Sequence, residues 1–329
     1  MTDAATPDAL FADSQLLDLT LTGPFSLIDK ERDKSKRYEG TLSYIDDNQS
    51  TVLLDVAYEV RGNWRLQKSN CSHAQLWLDL KRGQTKNTLF ENQNRLKLVV
   101  QCGKQESKEQ WLIKEQLAYD MFSEFSDYHF DTRLIQATYS DSLEKDQERT
   151  HFAFIIENQN RLAKRFDLEK FELNRAELTT LNSVQANRVA LFMLLIGNTD
   201  FSLSSGAPND SCCHNAKLLT DNSGVNYPFP YDFDASGFVD ASYAAPPDPS
   251  MRINRNTQRL YRGYCAHIDN IEEEIERALE TQGAVERMIT DSEYASDRTK
   301  KKAIRFLTNY YDDLANERKN QRSIVGKCR

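Results

Sequence analysis

The chain has 329 residues, of which 39% are hydrophobic and 28% charged, with a formal net charge of -8. This composition is typical of a folded globular protein and excludes disorder as the main state. The acidic balance argues against nucleic acid as the principal partner, because phosphate backbones are bound by basic surfaces, and no apolar run reaches the roughly 18 residues of a membrane-spanning helix.

The first hundred residues alternate apolar and polar side chains with a period of two, which is the pattern of half-buried strands. Strand candidates lie at residues 16–28, 38–44, 52–60, 76–80 and 96–100. The charged run ERDKSKR between the first two is interpreted as a solvated turn. This part of the chain is therefore predicted to be an antiparallel, mostly β lobe.

Helical periodicity begins at residues 109–125, where apolar side chains recur around one broad face. Two more strand candidates follow at residues 133–139 and 151–157. Helical patterns dominate the remainder, at residues 178–196, 268–281 and 297–316. Because a chain of this length is expected to form two lobes, we predict an α+β protein with a β-rich lobe that carries one helix (residues 1–158) and a mostly helical lobe (residues 159–329).

The six cysteines are too sparse for a disulfide scaffold and show no repeated CxxC zinc pattern. Cys71 and Cys102 flank two strand candidates and could pair with each other. One of Cys212 and Cys213 could likewise reach Cys265. The even count permits disulfides without requiring them, so free thiols are an equal alternative.

Several carboxylate residues follow the long apolar helix that ends in LLIGNTD. Asp200 follows the last turn of that helix, His214 and Asn215 open a short strand-like run, and two prolines lead into Asp232 and Asp234. Carboxylate and amide oxygens are the hard ligands that divalent cations prefer, and such sites commonly hold a phosphate as well. This segment therefore predicts a metal and phosphate site.

A cation and its partner would complete such a site. Lys97 stands alone in the apolar strand LKLVV, and Glu115 follows on the next predicted helix. A strand lysine paired with a helix glutamate is how protein kinases orient the phosphates of ATP, whereas an outward-facing lysine on an amphipathic strand is the plainer alternative. The kinase interpretation is favoured because Asp200, Asn215 and Asp232 follow downstream in the kinase order.

Each residue then has a chemical role. Asp200 would orient or deprotonate the attacking hydroxyl group. Asn215 and Asp232 would supply oxygens to Mg²⁺. Asp234 is either a second metal ligand or an acceptor for the backbone of the turn that follows it.

IGNTD followed by HN, and then PYDFDASG, resemble the motifs of the CotH family of atypical kinases, and more distantly those of the HipA and lipid-kinase branch. RGNWR at residues 61–65 is similar to the segment that precedes the lysine-bearing strands of that family, and the resemblance covers residues 15–265. It implies a bilobal protein-kinase-like fold with an antiparallel β N-terminal lobe and a mainly helical C-terminal lobe. It also implies ATP with Mg²⁺, or Mn²⁺ in its place, and transfer of the γ-phosphoryl group to a Ser, Thr or Tyr hydroxyl of a protein substrate.

Carried over position by position, the resemblance assigns Lys97 to the phosphates, Glu115 to that lysine and Asp200 to the catalytic loop. It assigns Asn215 and Asp232 to the metal. The family includes many secreted members, which makes disulfides more attractive and favours a periplasmic or secreted location. The first residues lack the basic and apolar regions of a secretory signal, and whether a signal once preceded them stays open.

Several departures from the kinase pattern bear on the function. GxGxxG, HRD and DFG motifs are absent, DFD stands where the last is expected, and Asn215 follows Asp200 by fifteen positions rather than by about five. Arg61 or Arg65 could cover the phosphates instead, since guanidinium groups suit phosphate, although a salt-bridged strand end is the alternative for both. A catalytically silent kinase-like binding module and a metal-dependent phosphohydrolase are the rival functions.

Two further features have a plain and a functional interpretation. His214 stands beside two cysteines, yet no fourth ligand follows at a spacing that would suit zinc, so a structural role is predicted for it. The proline-rich run at residues 243–249 (YAAPPDP) is interpreted as a segment that packs on the helical lobe, with shaping of the substrate entrance as the alternative.

Overall fold

A computed structural model describes residues 6–103, 105–144, 148–206 and 211–329. The chain divides into two units. Of the described residues, the barrel unit contains residues 6–112 and Asp131–Arg161, and the helical unit contains Ile113–Phe130 and Leu162–Arg329.

The barrel unit is built on a single sheet. Its strands are β1 (Leu17–Gly23), β2 (Arg37–Ile45), β3 (Thr51–Arg61), β4 (Gln75–Leu80), β5 (Arg95–Val100), β6 (Thr132–Asp141) and β7 (Glu148–Ile156), and its helices are α1 (Phe25–Glu31), α2 (Arg82–Thr85) and the start of α3 (Glu106–Phe125). Among the described strands the sheet order is β1-β2-β3-β4-β5-β7-β6. The sheet closes because β1 pairs in parallel with β6, from Leu17 opposite Ile135 to Gly23 opposite Asp141.

The predicted fold class is therefore wrong. A bilobal protein-kinase-like fold with a wholly antiparallel β N-terminal lobe does not contain the closed, mixed barrel that this unit forms. Alternation of apolar and polar residues identifies a strand and its buried face, but it does not identify the strand with which it pairs. The parallel contact between β1 and β6 joins segments that are far apart in sequence, and no local pattern encodes it.

Alternate strand positions fill the inside of the barrel. On β5, Leu96 and Leu98 belong to the buried core, so the half-buried Lys97 between them lies on the opposite face of the strand. From α1, the ring of Phe25 packs into the same core, with its centroid 5.1 Å from that of Tyr58 and 5.2 Å from that of Tyr139. The interior is thus closed by packed side chains.

Charged side chains tie α1 to the segment that leads into β4. Asp29 Oδ2 lies 2.9 Å from His73 Nδ1 and accepts a hydrogen bond from Arg149 Nη1 at 2.9 Å. Arg32, which ends α1 in a left-handed conformation, donates to the carbonyl oxygens of Cys71 at 2.8 Å and of Ser72 at 2.7 Å. These contacts hold a helix end and a loop that have few apolar groups of their own.

Disulfides join all the cysteines of the chain. The pairs are Cys71–Cys102, Cys212–Cys213 and Cys265–Cys328. The predicted pairing of Cys71 with Cys102 is confirmed. The predicted link from Cys212 or Cys213 to Cys265 is wrong, because those neighbours bond to each other and Cys265 bonds to a cysteine near the chain end.

The helical unit contains a small sheet and most of the helices. Its strands are β8 (Glu169–Lys170), β9 (Ala216–Thr220) and β10 (Asn226–Pro230), and its helices, with the end of α3, are α4 (Gln159–Arg165, which begins in the barrel unit), α5 (Ser183–Leu195), α6 (Ile271–Glu280), α7 (Gln282–Asp291), α8 (Asp297–Leu314) and α9 (Glu317–Ser323). Short 3-10 turns lie at Ala9–Phe11, Leu178–Thr180, Pro249–Met251, Cys265–Asn270 and Val325–Lys327. No helix in the described ranges is long and apolar enough to cross a membrane.

Helix α5 is the centre of this unit and sets the position of the loop behind it. Asn182 caps its start by accepting a hydrogen bond from the Gln185 amide at 2.9 Å. The helix ends at Leu195 with Ile196 as its C-cap, and Gly197 follows with a φ of 63°, a left-handed conformation that suits glycine. The carbonyl of Gly197 accepts a hydrogen bond from the amide of Gly237 at 3.1 Å, so the segment after β10 lies against the end of α5. The main chain at Gly237 also passes close to that of Asn256. Any other residue at position 237 would place its Cβ 2.4 Å from the carbonyl oxygen of Asn256, so this close packing requires glycine.

Candidate functional site

The carboxylate of Asp200, in the loop after α5, is held by two side chains. Its Oδ1 lies 2.7 Å from His214 Nε2. Asn215 Nδ2 donates to its Oδ2 at 3.0 Å and to the Asp200 carbonyl oxygen at 2.7 Å. The side chains of Asp200 and His214 are 52% and 44% exposed, so this carboxylate is oriented and also accessible to a substrate.

Asn215 and Asp232 lie together at one end of the β9–β10 hairpin. Asn215 precedes β9, and its carbonyl accepts a hydrogen bond at 3.1 Å from the amide of Tyr231, the residue after β10. Both residues adopt left-handed conformations, with φ of 49° at Asn215 and 65° at Asp232. Such conformations are uncommon outside glycine, although Asn and Asp tolerate them best.

Tyr119 on α3 supports the conformation of Asp232. Its hydroxyl accepts a hydrogen bond from the Asp232 amide at 2.8 Å, and its ring packs on Phe233 with centroids 4.5 Å apart. Burial raises the pKa of Tyr119 well above its usual value, and the charges of Glu115 and Asp232 raise it further. Glu115, buried one helical turn earlier, therefore acts on the same phenol as Asp232.

The environment of His214 favours its charged form. The hydrogen bond to Asp200 raises the pKa of His214 above its ordinary value and outweighs the opposing effect of burial. The charge of Asp232 raises it further, while that of Arg262 lowers it. The contact between His214 and Asp200 is thus an imidazolium–carboxylate pair over a wider pH range than for an ordinary histidine.

A cavity of about 250 Å³ opens beside Asp200 and His214, and Arg262 also lines it. Arg262 Nη1 donates to Met251 Sδ at 3.0 Å, whereas its Nε is buried and has no hydrogen-bond partner among the described residues. Burial lowers the pKa of Arg262 to about 10. The prolines of residues 246–247 form part of the wall, a position that both interpretations of the YAAPPDP run allow.

The remaining predicted residues belong to the barrel unit or to other parts of the helical unit. Arg61 is buried at the end of β3 and donates through Nε to the main-chain oxygen of Leu76 on β4 and through Nη2 to that of Leu98 on β5, at 3.1 Å in both cases. Arg65 is buried in the connection that follows. Because Lys97 and Glu115 belong to different units, their pairing stays a prediction. Asp234 is half-buried in the turn that follows β10.

The sequence interpretation missed three residues of this site. His214 was assigned a structural role because it was weighed only as a zinc ligand, although it directly precedes the predicted metal ligand Asn215. Tyr119 was counted only as part of an apolar helix face. Arg262 lies sixty-two residues beyond Asp200, in the segment RLYRGYC that follows the YAAPPDP run, and no motif or periodicity distinguishes this arginine within it.

The side chains that could act as ligands determine which metal ion the predicted site would suit. Among the described residues, no group of three or more His, Cys, Asp or Glu side chains could hold a metal ion. Asn215 and Asp232 offer one amide and one carboxylate oxygen at the same hairpin end, and the Asn215 amide nitrogen is committed to Asp200. This small set fits Mg²⁺, which keeps several waters and takes phosphate oxygens as ligands rather than a complete protein cage.

Comparison with known proteins assigns no family to the chain. No protein-family model matches the sequence, and no curated protein matches it. The chemistry of Asp200, Asn215, Asp232 and Arg262 is therefore the ground for assigning a function.

Proposed function

We propose that the chain transfers a phosphoryl group from ATP to a hydroxyl group of a protein substrate, in the presence of Mg²⁺, at Asp200. One observation carries this proposal: Asp200, oriented by His214 and Asn215, lines the same cavity as Arg262, whose buried Nε has no acceptor in the described part of the chain. An oriented carboxylate suits an attacking hydroxyl, and a guanidinium suits phosphoryl oxygens.

Asp200 acts on the hydroxyl group. Each of its carboxylate oxygens has two lone pairs, so accepting one bond from His214 or Asn215 leaves a lone pair for the substrate proton. As the substrate oxygen forms its bond to the γ-phosphorus, the bond from that phosphorus to the bridging oxygen breaks, and ADP leaves with the electron pair. The proton moves to Asp200, and the N–H groups of Arg262 stabilise charge on the phosphoryl oxygens.

The metal would be held by Asn215 and Asp232. When bound, Mg²⁺ neutralises the negative charge of the phosphates. The chain prepares its two ligands in different ways, because Asp200 fixes the Asn215 amide through hydrogen bonds and Tyr119 fixes the Asp232 backbone. The order of these residues supports the resemblance to CotH-like kinases as a proposal about chemistry.

Two measurements test the proposal. ATP with Mg²⁺ should raise the melting temperature of the chain, and Asp232→Ala should abolish that shift while leaving the unliganded protein folded. With γ-labelled ATP, transfer to the chain itself or to a general protein substrate should be lost in Asp200→Asn. Asp312→Asn, which changes an exposed carboxylate on α8, is the matched control and should retain full transfer.

The outcomes separate the rival functions. Release of phosphate without any phosphoprotein would replace transfer by hydrolysis at the same carboxylates. Folded protein that shows neither a melting shift nor labelled product would be a silent binding module. Equal transfer by Asp200→Asn and the wild type would remove Asp200 from the chemistry and overturn the proposal.

A further inference from the structure

A second cavity, of about 410 Å³, lies in the helical unit where residues of α5, α8 and α9 meet. It is separate from the cavity beside Asp200, and the two linings share no residue. Its size falls in the range of pockets that hold small organic ligands, about 300–1,000 Å³. The side chains around it show which ligand it suits.

Arg259 lies half-buried in the lining and forms no ion pair with a carboxylate in the described ranges. Its Nε donates to the carbonyl oxygens of Leu194 at 3.0 Å and Leu195 at 3.1 Å, and its Nη2 donates to those of Leu195 at 2.9 Å and Phe306 at 2.6 Å. Within the described ranges it forms no ion pair, and its Nη1 donates no hydrogen bond. Carbonyl groups satisfy donors but bear no net charge, so the guanidinium retains a full positive charge.

Aromatic rings and main-chain carbonyl oxygens surround the Arg259 guanidinium and hold it in place without neutralising its charge. The guanidinium carbon lies 3.9 Å from the ring centroid of Phe306 and 5.8 Å from that of Tyr310. Burial lowers the pKa of Arg259 to about 10, against the opposing effects of Tyr310 and Asp313. An anion bound beside this partly desolvated cation would offset the cost of its burial.

Further cations stand at the same cavity. Lys319, Arg322 and Lys327 line it from α9 and the turn after it, and the single carboxylate of the lining, Asp313, is already paired with Lys319. This is a local excess of positive charge in a chain whose net charge is -8. Leu194, Leu260 and Leu314 also line the cavity, so its lining combines cations with apolar side chains.

We propose that this cavity binds a small amphipathic anion, namely a carboxylate or phosphate head on a short aliphatic chain. The head lies against Arg259 and Arg322, and the chain lies against the apolar side chains of the lining. The free Nη1 donors of Arg259 face the bound head, and the anion supplies the negative charge that the lining lacks. The site is independent of phosphoryl transfer, since it shares no residue with the cavity of Asp200.

Calorimetric titration of the full chain with eight-carbon probes tests this inference. Octanoate and octyl phosphate should both bind, about tenfold or more tighter than 1-octanol, because a charge-assisted hydrogen bond adds that much to affinity. Octylammonium, which has the same tail and the opposite charge, should not bind. The ratio of octanoate to octyl phosphate affinity tells which head the site prefers. Equal binding of octanol and octanoate, or no binding of either anion, would overturn the proposal.

Two arginines on α9 locate the site. Arg322→Gln removes a lining cation, whereas Arg318→Gln makes the same change on an exposed residue of the same helix that does not line the cavity. Octanoate affinity should fall about threefold to tenfold in the first variant and stay unchanged in the second. Arg259→Gln should weaken binding most, and its fold is checked by circular dichroism. If that variant does not fold, the two α9 variants still decide, since equal affinities for both would refute the site.

Discussion

Replacing Tyr119 with phenylalanine removes one oxygen atom from the support of the proposed metal site. The hydroxyl of Tyr119 accepts the amide hydrogen of Asp232 at 2.8 Å, in a position where the phenol is only 3% exposed. In the variant the ring can keep its packing on Phe233, but the Asp232 amide loses its acceptor. An unsatisfied buried donor costs about 1–3 kcal/mol, and we expect the helical unit to lose stability by that amount.

The same change should also affect function, because the lost hydrogen bond holds a backbone conformation that is not preferred. Asp232 has a φ of 65°. A left-handed conformation at a residue other than glycine costs about 1–3 kcal/mol of folding free energy, and it persists only where the surrounding contacts compensate for that cost. Without the bond from Tyr119, the backbone can relax and the carboxylate can leave the end of the β9–β10 hairpin. We therefore expect Tyr119→Phe to reduce the melting shift produced by ATP and Mg²⁺ even where the protein is folded.

Tyr227→Phe is the matched control. It removes a hydroxyl whose contact with Asp221 Oδ2, at 3.3 Å, is long and partly exposed, so its effect on unfolding should stay within about 0.5 kcal/mol. Differential scanning calorimetry with and without ATP and Mg²⁺ measures both effects in both variants. If Tyr119→Phe matches Tyr227→Phe in stability and in nucleotide response, the support assigned to this hydroxyl is refuted.

Three further predictions concern charge and packing. His214→Gln should destabilise the protein most below pH 6.5 and progressively less as the pH rises above it, because a histidine whose pKa is raised on folding contributes stability that is lost on deprotonation; equal losses at pH 5.5 and pH 9 would contradict this. Burial alone would raise the pKa of Asp29, but the hydrogen bond from His73 and the charge of Arg149 outweigh it and lower the pKa below 3.8. Asp29→Asn should therefore cost about 3 kcal/mol at neutral pH, with a smaller difference below pH 3.8, and denaturant unfolding at both values measures it. Gly40→Ala should destabilise the barrel unit by about 2–3 kcal/mol or more, since the new Cβ would lie 2.1 Å from the main-chain oxygen of Thr22 on the neighbouring strand; Gly83→Ala, where no atom lies within 4 Å, should be neutral or stabilising.

Local periodicity predicted individual elements well. The strands expected at residues 38–44 and 52–60 are confirmed as β2 and β3, and the helix expected at residues 109–125 is confirmed within α3. A strand or helix that buries one face repeats apolar residues at its own period, and this repeat is visible in a short stretch of sequence. Residues 16–28 show where a repeat misleads, because the single predicted strand is β1 followed by α1, with the break at Pro24.

Tertiary relations were predicted only where short loops decide them. Cys71 precedes β4 and Cys102 follows β5, and these strands are neighbours in the sheet, so the disulfide joins the ends of one hairpin and sequence spacing is enough to suggest it. Closure of the barrel through β1 and β6 depends on the energy of the whole sheet, and no segment of the chain carries a signal for it. For the same reason neither Tyr119 nor Arg262 could be placed at the site before the fold was known.

The proposed chemistry does not depend on the fold class that the sequence suggested. Asn215 and Asp232 meet because β9 and β10 form a hairpin, and Asp200 joins them because Gly197 follows the end of α5, where the segment of Gly237 lies against it. These relations belong entirely to the helical unit, so the closed barrel changes neither the hydrogen bonds of Asp200 nor the cavity beside it. A failure of Asp200→Asn to reduce transfer would therefore count against the assigned role of this carboxylate and not against the architecture that presents it.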